Sequence, residues 1–370
     1  MRPDPQTLVP ILEDWLSTGQ IAAAAWSTLI EGELADGRRA QAWGIGPDNV
    51  VDQVQARLAW LPVLAQLHPG LPLPAAPLST YLPLAWQLWL PLALHLKQLR
   101  DRQPHPLIQG ILAGQGTGKT TLAAILRQLL GAQGYGTATL SLDDLYQPWG
   151  VRRQLQRNDP RLRWRGPPGT HDIPLGLATL AQVRQATPGS VINLPRFDKS
   201  LHDGEGDRTS PEPVQAIDIL LFEGWFVGLH PLSPEALEAG LGEGRTAEAD
   251  RQFARDSNQA LAAYLPLWQS LDRLLLILPQ DYRWSQGWRQ QAERALQAQG
   301  KAGMDQARVA DFVAYFWRAL PPPLFIPPLT QPGSGVDLVI EVDGERRPQA
   351  IYQSGEGRDG CAQQPLEWRS

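Results

Sequence analysis

The chain has 370 residues and a formal net charge of −5, with an isoelectric point of about 5.7. This length is enough to bury a large core and to hold more than one subdomain. The negative charge argues against a protein that binds nucleic acid over its whole surface, so any phosphate site must be positive only locally. Cys361 is the only cysteine, which excludes an intramolecular disulfide and fits a reducing, cytoplasmic location.

The first hundred residues predict helices and no catalytic cluster. Residues 1–5 lack the basic and apolar features of a signal peptide. Periodic apolar residues predict helices over 8–30, 48–67 and 81–99. The last of these is interrupted by proline and polar residues, which favours a buried helix over a membrane span. We therefore expect residues 1–100 to form a helical lid or packing layer.

A strand, a glycine-rich turn and a helix follow one another from residue 107. Leu107–Ala113 is an apolar run without alternation, as in a strand buried on both faces, and GQGTGKTT follows it. This order is required of a phosphate-binding P-loop, in which Lys119 reaches the β- and γ-phosphates and Thr120 ligates Mg²⁺. Ala113 replaces the usual first glycine, which requires a negative φ at this position. The predicted ATP-binding residues are Gly114, Gln115, Gly116, Thr117, Gly118, Lys119, Thr120 and Thr121.

Two further predicted strands end in acidic residues. The strand over 137–141 leads into LDDLY, which places Asp143 and Asp144 where open α/β sheets bind their ligands. The alternative is a pair of helix N-cap residues. Residues 217–224 read IDILLFEG, a pattern typical of a Walker-B strand, in which Glu223 binds Mg²⁺ directly or through water.

Two loops between these strands are rich in basic residues. Residues 147–172 contain six arginines and end in GPPGTHD, which is more typical of a shaped binding loop than of a solvated one. A predicted helix over 174–186 and a strand over 190–194 then lead to PRFDKS and GEGDR. Helices over 247–271, 284–299 and 305–320 follow, with a core strand over 273–278 and an edge strand over 336–342.

The absence of certain motifs excludes two classes of P-loop protein, the GTPases and the transport ATPases. The chain has no DxxG switch after the Glu223 strand and no NKxD guanine motif, and it lacks the signature loop of a transport ATPase. A kinase for a small hydroxyl compound remains, in which the Asp after the second strand accepts the proton of the acceptor.

At this level of detail the chain resembles a known family. GxGKTT together with SLDDLY is similar to the phosphoribulokinase, uridine kinase and pantothenate kinase superfamily. Five stretches resemble the plant and cyanobacterial type of D-glycerate 3-kinase: RG with GTHD within 165–172, PRFDKS at 195–200, GDR at 206–208, FEGW at 222–225, and WRQQAE leading to GKAGM within 288–304. The resemblance covers about residues 80–343 and departs in the N-terminal region, at Ala302 and at 317–320.

The resemblance implies an α/β P-loop NTPase three-layer fold with a mostly parallel central sheet. We expect an N-terminal helical region over 1–100, a P-loop kinase domain over 101–343 and a weakly ordered tail over 344–370. The implied activity is ATP-dependent, Mg²⁺-requiring phosphorylation of D-glycerate to 3-phosphoglycerate, which belongs to photorespiration.

The resemblance also implies roles for individual residues. Asp143 is the predicted general base, Lys119 holds the phosphates, and Thr120 and Glu223 bind the metal. Arg255 is either a lid residue that closes over the transferring phosphoryl group or a plain helix-surface arginine. The predicted substrate-binding residues are Arg165, His171, Asp172, Arg196, Lys199 and Arg208, with Arg196 the first choice for pairing the substrate carboxylate.

Two other functions stay open from the sequence. A nucleoside or pantothenate kinase needs an aromatic acceptor pocket, for which Phe197 and Trp225 are available. A non-catalytic nucleotide-binding regulator would keep Lys119 and tolerate the loss of Asp143. In each case the expected partners are small molecules, with neither nucleic acid nor membrane among them.

Overall fold

A computed structural model describes residues 5–187, 189–242, 247–298 and 304–354. Its strands are β1 (Leu107–Ala113), β2 (Thr137–Ser141), β3 (Val191–Leu194), β4 (Phe197–Asp198), β5 (Asp207–Arg208), β6 (Glu212–Gln215), β7 (Ile219–Gly224), β8 (Arg273–Pro279), β9 (Leu338–Val342) and β10 (Pro348–Gln353). Six of them form a central sheet in the order β10-β9-β8-β1-β7-β2. Only β10 runs antiparallel to its neighbour in this sheet. The predicted α/β fold with a mostly parallel central sheet is confirmed.

The middle of the sheet is closed to solvent on both faces. Every residue of β1 and β7 is buried, as the unbroken apolar runs predict for parallel strands covered by helices. The carboxyl ends of β2, β7, β1 and β8 lie along one edge because these strands are parallel. Side chains that follow these strands therefore meet at that edge.

Helices form the layers on the two faces of the sheet. They are α1 (Pro5–Thr18), α2 (Ala23–Leu34), α3 (Gly37–Ala42), α4 (Val50–Leu67), α5 (Leu78–Leu84), α6 (Leu90–Asp101), α7 (Lys119–Ala132), α8 (Trp149–Asn158), α9 (Ile173–Arg184), α10 (Pro234–Leu241), α11 (Glu248–Ala260), α12 (Leu265–Trp268), α13 (Trp284–Ala298), α14 (Gln306–Ala319) and α15 (Pro322–Phe325). Apolar residues of α1, α2, α4, α6 and α7 form one continuous core with one face of the sheet. Residues of α9, α10, α11, α12 and α15 cover the other face.

The N-terminal helices thus pack as a layer against the sheet and α7. The helix predicted over 8–30 is two helices, because Gly19 has a φ of +68° and ends α1. The helix predicted over 81–99 contains a wider π-helical turn at Ala85–Trp89, between α5 and α6. Among the described residues, no helix is both long and apolar enough to span a bilayer. The boundary near residue 100 stays a prediction.

One of two further strand predictions is confirmed and the other needs correction. The strand expected over 190–194 forms as β3, but it lies outside the central sheet and pairs antiparallel with β6. Its residues alternate between exposed and buried, which suits a ribbon with one solvated face. The strand expected at the sheet edge, β9, is instead covered by β10.

The weakly ordered tail expected from residue 344 is also wrong for its first part. Pro348–Gln353 forms β10, the antiparallel edge of the central sheet. Ile351 and Tyr352 are buried there, and this short apolar pair anchors the strand in the core. Cys361 and the rest of 355–370 lie outside the described residues, as do Lys301 and its neighbours within 299–303.

A buried ion cluster joins the N-terminal helices. The Glu33 carboxylate lies 2.7 Å from Arg57 Nη1 and 3.5 Å from Arg39 Nη2, and all three side chains are at most 2 % exposed. Trp86 Nε1 donates to Glu33 at 2.9 Å. Two buried guanidiniums share a single carboxylate, so Glu33 offsets part of their positive charge and its loss would leave both without an acid.

We expect Glu33→Ala to lower the free energy of unfolding by about 3–5 kcal/mol, because it leaves two buried cations without their acid. Urea denaturation followed by tryptophan fluorescence measures the change. Glu31→Ala on the same helix is the control, since Glu31 is exposed and such changes stay within about 0.5 kcal/mol. Equal stabilities of the two variants would show that the cluster does not stabilise the fold.

Candidate active site

The loop between β1 and α7 has the conformation of a phosphate-binding turn. Gly116 and Gly118 have φ values of +73° and +94°, a left-handed region that favours glycine. Ala113 has no positive φ, so it fits the position of the usual first glycine as the sequence required. Thr117 Oγ1 donates to the Gly114 carbonyl at 2.9 Å and closes the turn. The first N–H groups of α7 lack helical acceptors and can bind an anion.

A hydroxyl, an ammonium and a buried carboxylate meet beside this loop. Thr120 Oγ1 donates to Glu223 Oε1 at 2.9 Å, and Lys119 Nζ lies 3.9 Å from Glu223 Oε2. Glu223 is 4 % exposed, and its Oε2 has no hydrogen-bond partner in the part of the chain that the structure describes. This donor set fits Mg²⁺, which takes one or two carboxylates and completes its shell with phosphates and water. Thr120 and Glu223 are the residues that would hold it.

Asp143 lies on the neighbouring strand end, in a short 3₁₀ turn directly after β2. Lys199 Nζ is 2.6 Å from Asp143 Oδ2. Burial raises the pKa of the Asp143 carboxyl, but the charges of Lys199 and Lys119 and hydrogen bonds from Lys199 and Tyr146 lower it below its usual range. Asp143 is therefore ionised at neutral pH and can accept a hydrogen bond from an acceptor hydroxyl.

Asp144 has a different environment from its neighbour. It forms a capping box with Ser141, whose backbone N–H it accepts at 3.0 Å. It also accepts the Phe197 N–H at 3.1 Å and pairs with Arg196 at 3.1 Å. Burial raises the pKa of the Asp144 carboxyl despite these contacts. The capping role that the sequence offered as an alternative thus applies to Asp144, where it joins β2 to β4.

Two of the predicted substrate-binding arginines already pair with acids. Arg196 donates to Asp144 and, at 2.7 Å, to Glu212. Arg208 donates at 2.8 Å to Asp172, which also caps α9. These contacts hold the loops together and weaken the case for Arg196 as the partner of a substrate carboxylate.

Two other arginines contact only neutral groups and aromatic rings. Arg165 Nη1 donates to the carbonyl oxygens of Gly204 and Glu205, each at 2.8 Å. Arg152 is 4 % exposed and was assigned no role from the sequence. Both guanidiniums face the Phe197 ring, at 5.5 and 5.2 Å from its centroid. Burial and the charge of Arg165 lower the pKa of Arg152. In the described chain neither forms an ion pair, so together they can attract an anion.

His171 is fully enclosed beside Asp143. Its Nδ1 lies 2.8 Å from the Tyr264 hydroxyl, and its ring stacks on Tyr146 at 4.5 Å. Burial lowers the pKa of the imidazole to about 3, so His171 is neutral. Its Nε2 is buried and has no hydrogen-bond partner among the residues described. His171 therefore stays a candidate for substrate binding through this nitrogen.

Arg255 does not join this site by any contact in the described ranges. It makes ion pairs with Glu238 at 2.5 and 3.0 Å and with Glu248 at 2.7 Å. These carboxylates hold the guanidinium between α10 and α11. The structure therefore favours the surface interpretation of Arg255 over the lid interpretation.

Several contacts at the site were not predicted from the sequence. Tyr146 lies within the SLDDLY stretch, but its hydrogen bond to Asp143 was not predicted. Arg346 Nε donates to the Gly116 carbonyl at 2.6 Å, across 230 residues. A Cβ on Gly116 would lie 2.6 Å from Trp288 Cβ, so Trp288 packs directly against the loop. Trp288 belongs to one of the stretches that carry the family resemblance, but its role required the structure.

Comparisons with known proteins show which proteins this chain is similar to. No protein-family model matches it. It is 35 % identical over 272 residues to the chloroplastic D-glycerate 3-kinase of Arabidopsis thaliana, which covers 70 % of this chain and 57 % of the relative. The chain thus spans less than two thirds of that relative's length. An uncharacterised kinase of Schizosaccharomyces pombe is 30 % identical over 228 residues, covering 58 % of this chain and 82 % of that protein.

A solved structure gives the same assignment. The D-glycerate 3-kinase of Cryptococcus neoformans superimposes with a TM-score of 0.62 and 31 % identity, over 70 % of this chain and 94 % of that one. Because similarity in sequence and in structure extends over almost all of that protein, the chain described here belongs to the D-glycerate 3-kinase family of P-loop kinases.

Proposed function

We propose that this chain transfers the γ-phosphoryl group of ATP to D-glycerate and forms 3-phosphoglycerate. The observation that carries the proposal is the meeting of Asp143, Lys119 and Glu223 at the ends of β2, β1 and β7. A base for the acceptor hydroxyl, a cation for the phosphates and a carboxylate for the metal are the parts that phosphoryl transfer needs. Family membership supports the choice of glycerate as acceptor.

In this proposal the protein mainly positions and neutralises charge. The loop N–H groups and Lys119 hold the transferring phosphoryl group, whose transition state spreads charge over its oxygens. Mg²⁺ supplies further neutralisation of the phosphate oxygens when bound. Asp143 accepts the proton of the attacking hydroxyl. Lys199, which pairs with Asp143 here, holds that carboxylate in its ionised form until the acceptor replaces this contact.

The carboxylate of glycerate needs a cation that has no acidic partner. The sequence favoured Arg196, but its pairing with Asp144 and Glu212 makes Arg165 the better choice, together with Arg152. The two nitrogens of an arginine guanidinium bind a carboxylate bidentately. Arg165 also lies near the proposed base, because its charge acts on the pKa of Tyr146, which hydrogen-bonds to Asp143. Asp143 would then bind the hydroxyl to be phosphorylated, and Arg165 and Arg152 would bind the carboxylate.

The aromatic residues available for a nucleoside or pantothenate acceptor already contact other groups of the protein. The Phe197 ring faces Arg152 and Arg165, and Trp225 Nε1 donates to the Gly166 carbonyl at 3.1 Å. The proposal also includes the Mg²⁺ requirement, a cytoplasmic location, a role in photorespiration and the absence of a nucleic acid partner. The donor set at Glu223 supports the Mg²⁺ requirement. The single cysteine and the negative net charge support the cytoplasmic location and the absence of a nucleic acid partner, and the family resemblance supports the role in photorespiration.

Lys119→Ala should reduce phosphoryl transfer roughly 10³-fold or more, which is the effect of removing one cation from a phosphoryl transition state. Steady-state ADP formation measures the loss, and circular dichroism checks the fold. Lys97→Ala is the matched control, because Lys97 lies on the surface of α6, where it pairs with Asp101 at 2.6 Å and faces the Tyr135 ring. Near-normal turnover of a folded Lys119→Ala variant would overturn the P-loop assignment.

Asp143→Asn should lower turnover roughly 10²- to 10⁴-fold, as expected for the loss of a general base, with ATP affinity nearly intact. Asp144→Asn is the isosteric comparison. It replaces an acceptor oxygen that backbone N–H groups need, so it should cost about 1–3 kcal/mol of stability and reduce turnover less. Calorimetric ATP binding, turnover and unfolding are measured on both variants. A larger loss of turnover in Asp144→Asn would mean that the base is misassigned.

D-Glycerate should exceed glycerol as acceptor by roughly 10²- to 10³-fold or more in kcat/KM, because glycerol leaves a partly buried cation unpaired. ADP release is measured with D-glycerate, glycerol, uridine and pantothenate, with a control lacking acceptor. Arg165→Lys, which loses the fork, should lower kcat/KM for glycerate while ATP binding is retained. Arg163→Lys is its control, since Arg163 pairs with Asp311 on the surface. Comparable values for glycerol and glycerate would point to a neutral acceptor.

A further inference from the structure

An arginine occupies an unusual backbone position in the hairpin between β9 and β10. Residues 344–346 form a three-residue loop closed by Asp343, whose carbonyl accepts the Arg346 N–H at 2.9 Å and whose N–H donates to Arg347 at 3.1 Å. Arg346 has a φ of +62°. The last residue of such a loop adopts the left-handed conformation, which glycine or asparagine takes most readily.

A strained residue of this kind persists where its surroundings hold it and is often linked to function. The side chain of Arg346 reaches from the hairpin to the phosphate loop, where its Nε donates to the Gly116 carbonyl at 2.6 Å. Its guanidinium carbon lies 4.9 Å from the centre of the Trp288 ring. Trp288 is fixed in turn by a 2.8 Å hydrogen bond from its Nε1 to the Gly344 carbonyl. The hairpin, Trp288 and the phosphate loop are thus in direct contact with one another.

The partners of Arg346 are all neutral. Besides Gly116, both terminal nitrogens lie 3.3 Å from Gln291 Oε1, and no carboxylate in the described chain pairs with them. Burial lowers the pKa of the guanidinium. The adjacent Arg347, in contrast, pairs with Asp343 at 2.9 Å and also with Glu345. A partly buried cation without an acid therefore lies against the loop that is built to bind an anion.

The hydrogen bond to Gly116 also fixes a peptide group. A trans peptide directs its C=O and the following N–H to opposite sides. The contact with Arg346 therefore turns the Thr117 N–H away from the hairpin and keeps it as a donor for a phosphate oxygen. Loss of the contact would allow this peptide to rotate in the free protein, and binding would then have to order it again.

We propose that Arg346 is a positioning residue for the nucleotide: it holds the Gly116–Thr117 peptide in its phosphate-binding orientation and adds positive charge behind the phosphate loop. The inference rests on the proposed function in taking ATP as the ligand. It differs from the predicted ATP-binding set, which ended at Thr121, because it draws the hairpin at the far end of the domain into the site.

The backbone of Arg346 makes the test sharp. Arg346→Gly and Arg346→Asn suit the left-handed φ, which offsets the loss of the arginine contacts, so both variants should fold with an unfolding midpoint close to that of the wild type. Calorimetry on the full chain then measures binding of ATP, inorganic tripolyphosphate and adenosine. We expect ATP and tripolyphosphate to bind roughly 10- to 100-fold more weakly, because binding must then order the loop peptide again and the nearby positive charge is lost, with adenosine unchanged. In turnover, KM for ATP should rise while kcat at saturating ATP is retained.

Arg347→Asn is the matched control, because it removes the same charge from the same hairpin. It should change ATP affinity by no more than about two-fold, the usual range for an exposed side chain. Unchanged ATP affinity in the folded Arg346→Gly variant would overturn the inference and leave the proposed function standing. A loss for ATP without a loss for tripolyphosphate would also overturn it, since Arg346 would then contact the nucleoside. A wild-type chain that binds neither ATP nor tripolyphosphate would overturn both the inference and the proposed function.

Discussion

The parallel pairing of β1 with a neighbour on each side is the constraint on which the rest of the site depends. β7 and β8 flank β1, and β2 pairs with β7 in the same direction. Parallel strands must be covered on both faces, which explains why the helices form two layers and why the polar groups gather at one edge. The Thr120–Glu223 hydrogen bond then joins the start of α7 to the end of β7. One hydroxyl thus links the phosphate loop to the metal-binding strand.

The charges at this edge fall into two groups with different roles. Arg196, Arg208 and Asp144 are satisfied by partners from neighbouring loops, so they shape the site and have little charge to offer a ligand. Arg152 and Arg165 lack acidic partners in the described residues, as does Arg346, and each contacts a carbonyl oxygen and an aromatic ring. Keeping a cation unpaired near a ligand site costs stability, and the gain is affinity for an anion.

The sequence predicted most of what short-range patterns can carry. The strands β1, β2, β7 and β8 and the helix after the phosphate loop lie where their apolar runs predict them. Contacts between segments that are distant along the chain could not be predicted from the sequence. The capping box with Ser141 is a local feature that distinguishes Asp144 from Asp143, and the contact with Phe197 from a distant strand shows how fully the second carboxylate is engaged. The contact that weakens the case for Arg196 could not be predicted for the same reason, since Glu212 pairs with it from another strand. The edge strand β10 was missed because its buried pair is short and a turn-rich segment precedes it.

The contact between Arg346 and Gly116 also sets an order of events during synthesis of the chain. The phosphate loop leaves the ribosome 230 residues before the arginine that completes it. At 5–20 residues per second this interval lasts roughly 10 to 50 s. In the last part of that time β8 has been made but β9 and β10 have not, so β8 forms the edge of a growing sheet, with its backbone groups open to pairing by another chain. The hairpin that orders the phosphate loop is therefore also the segment that ends the exposure of this edge.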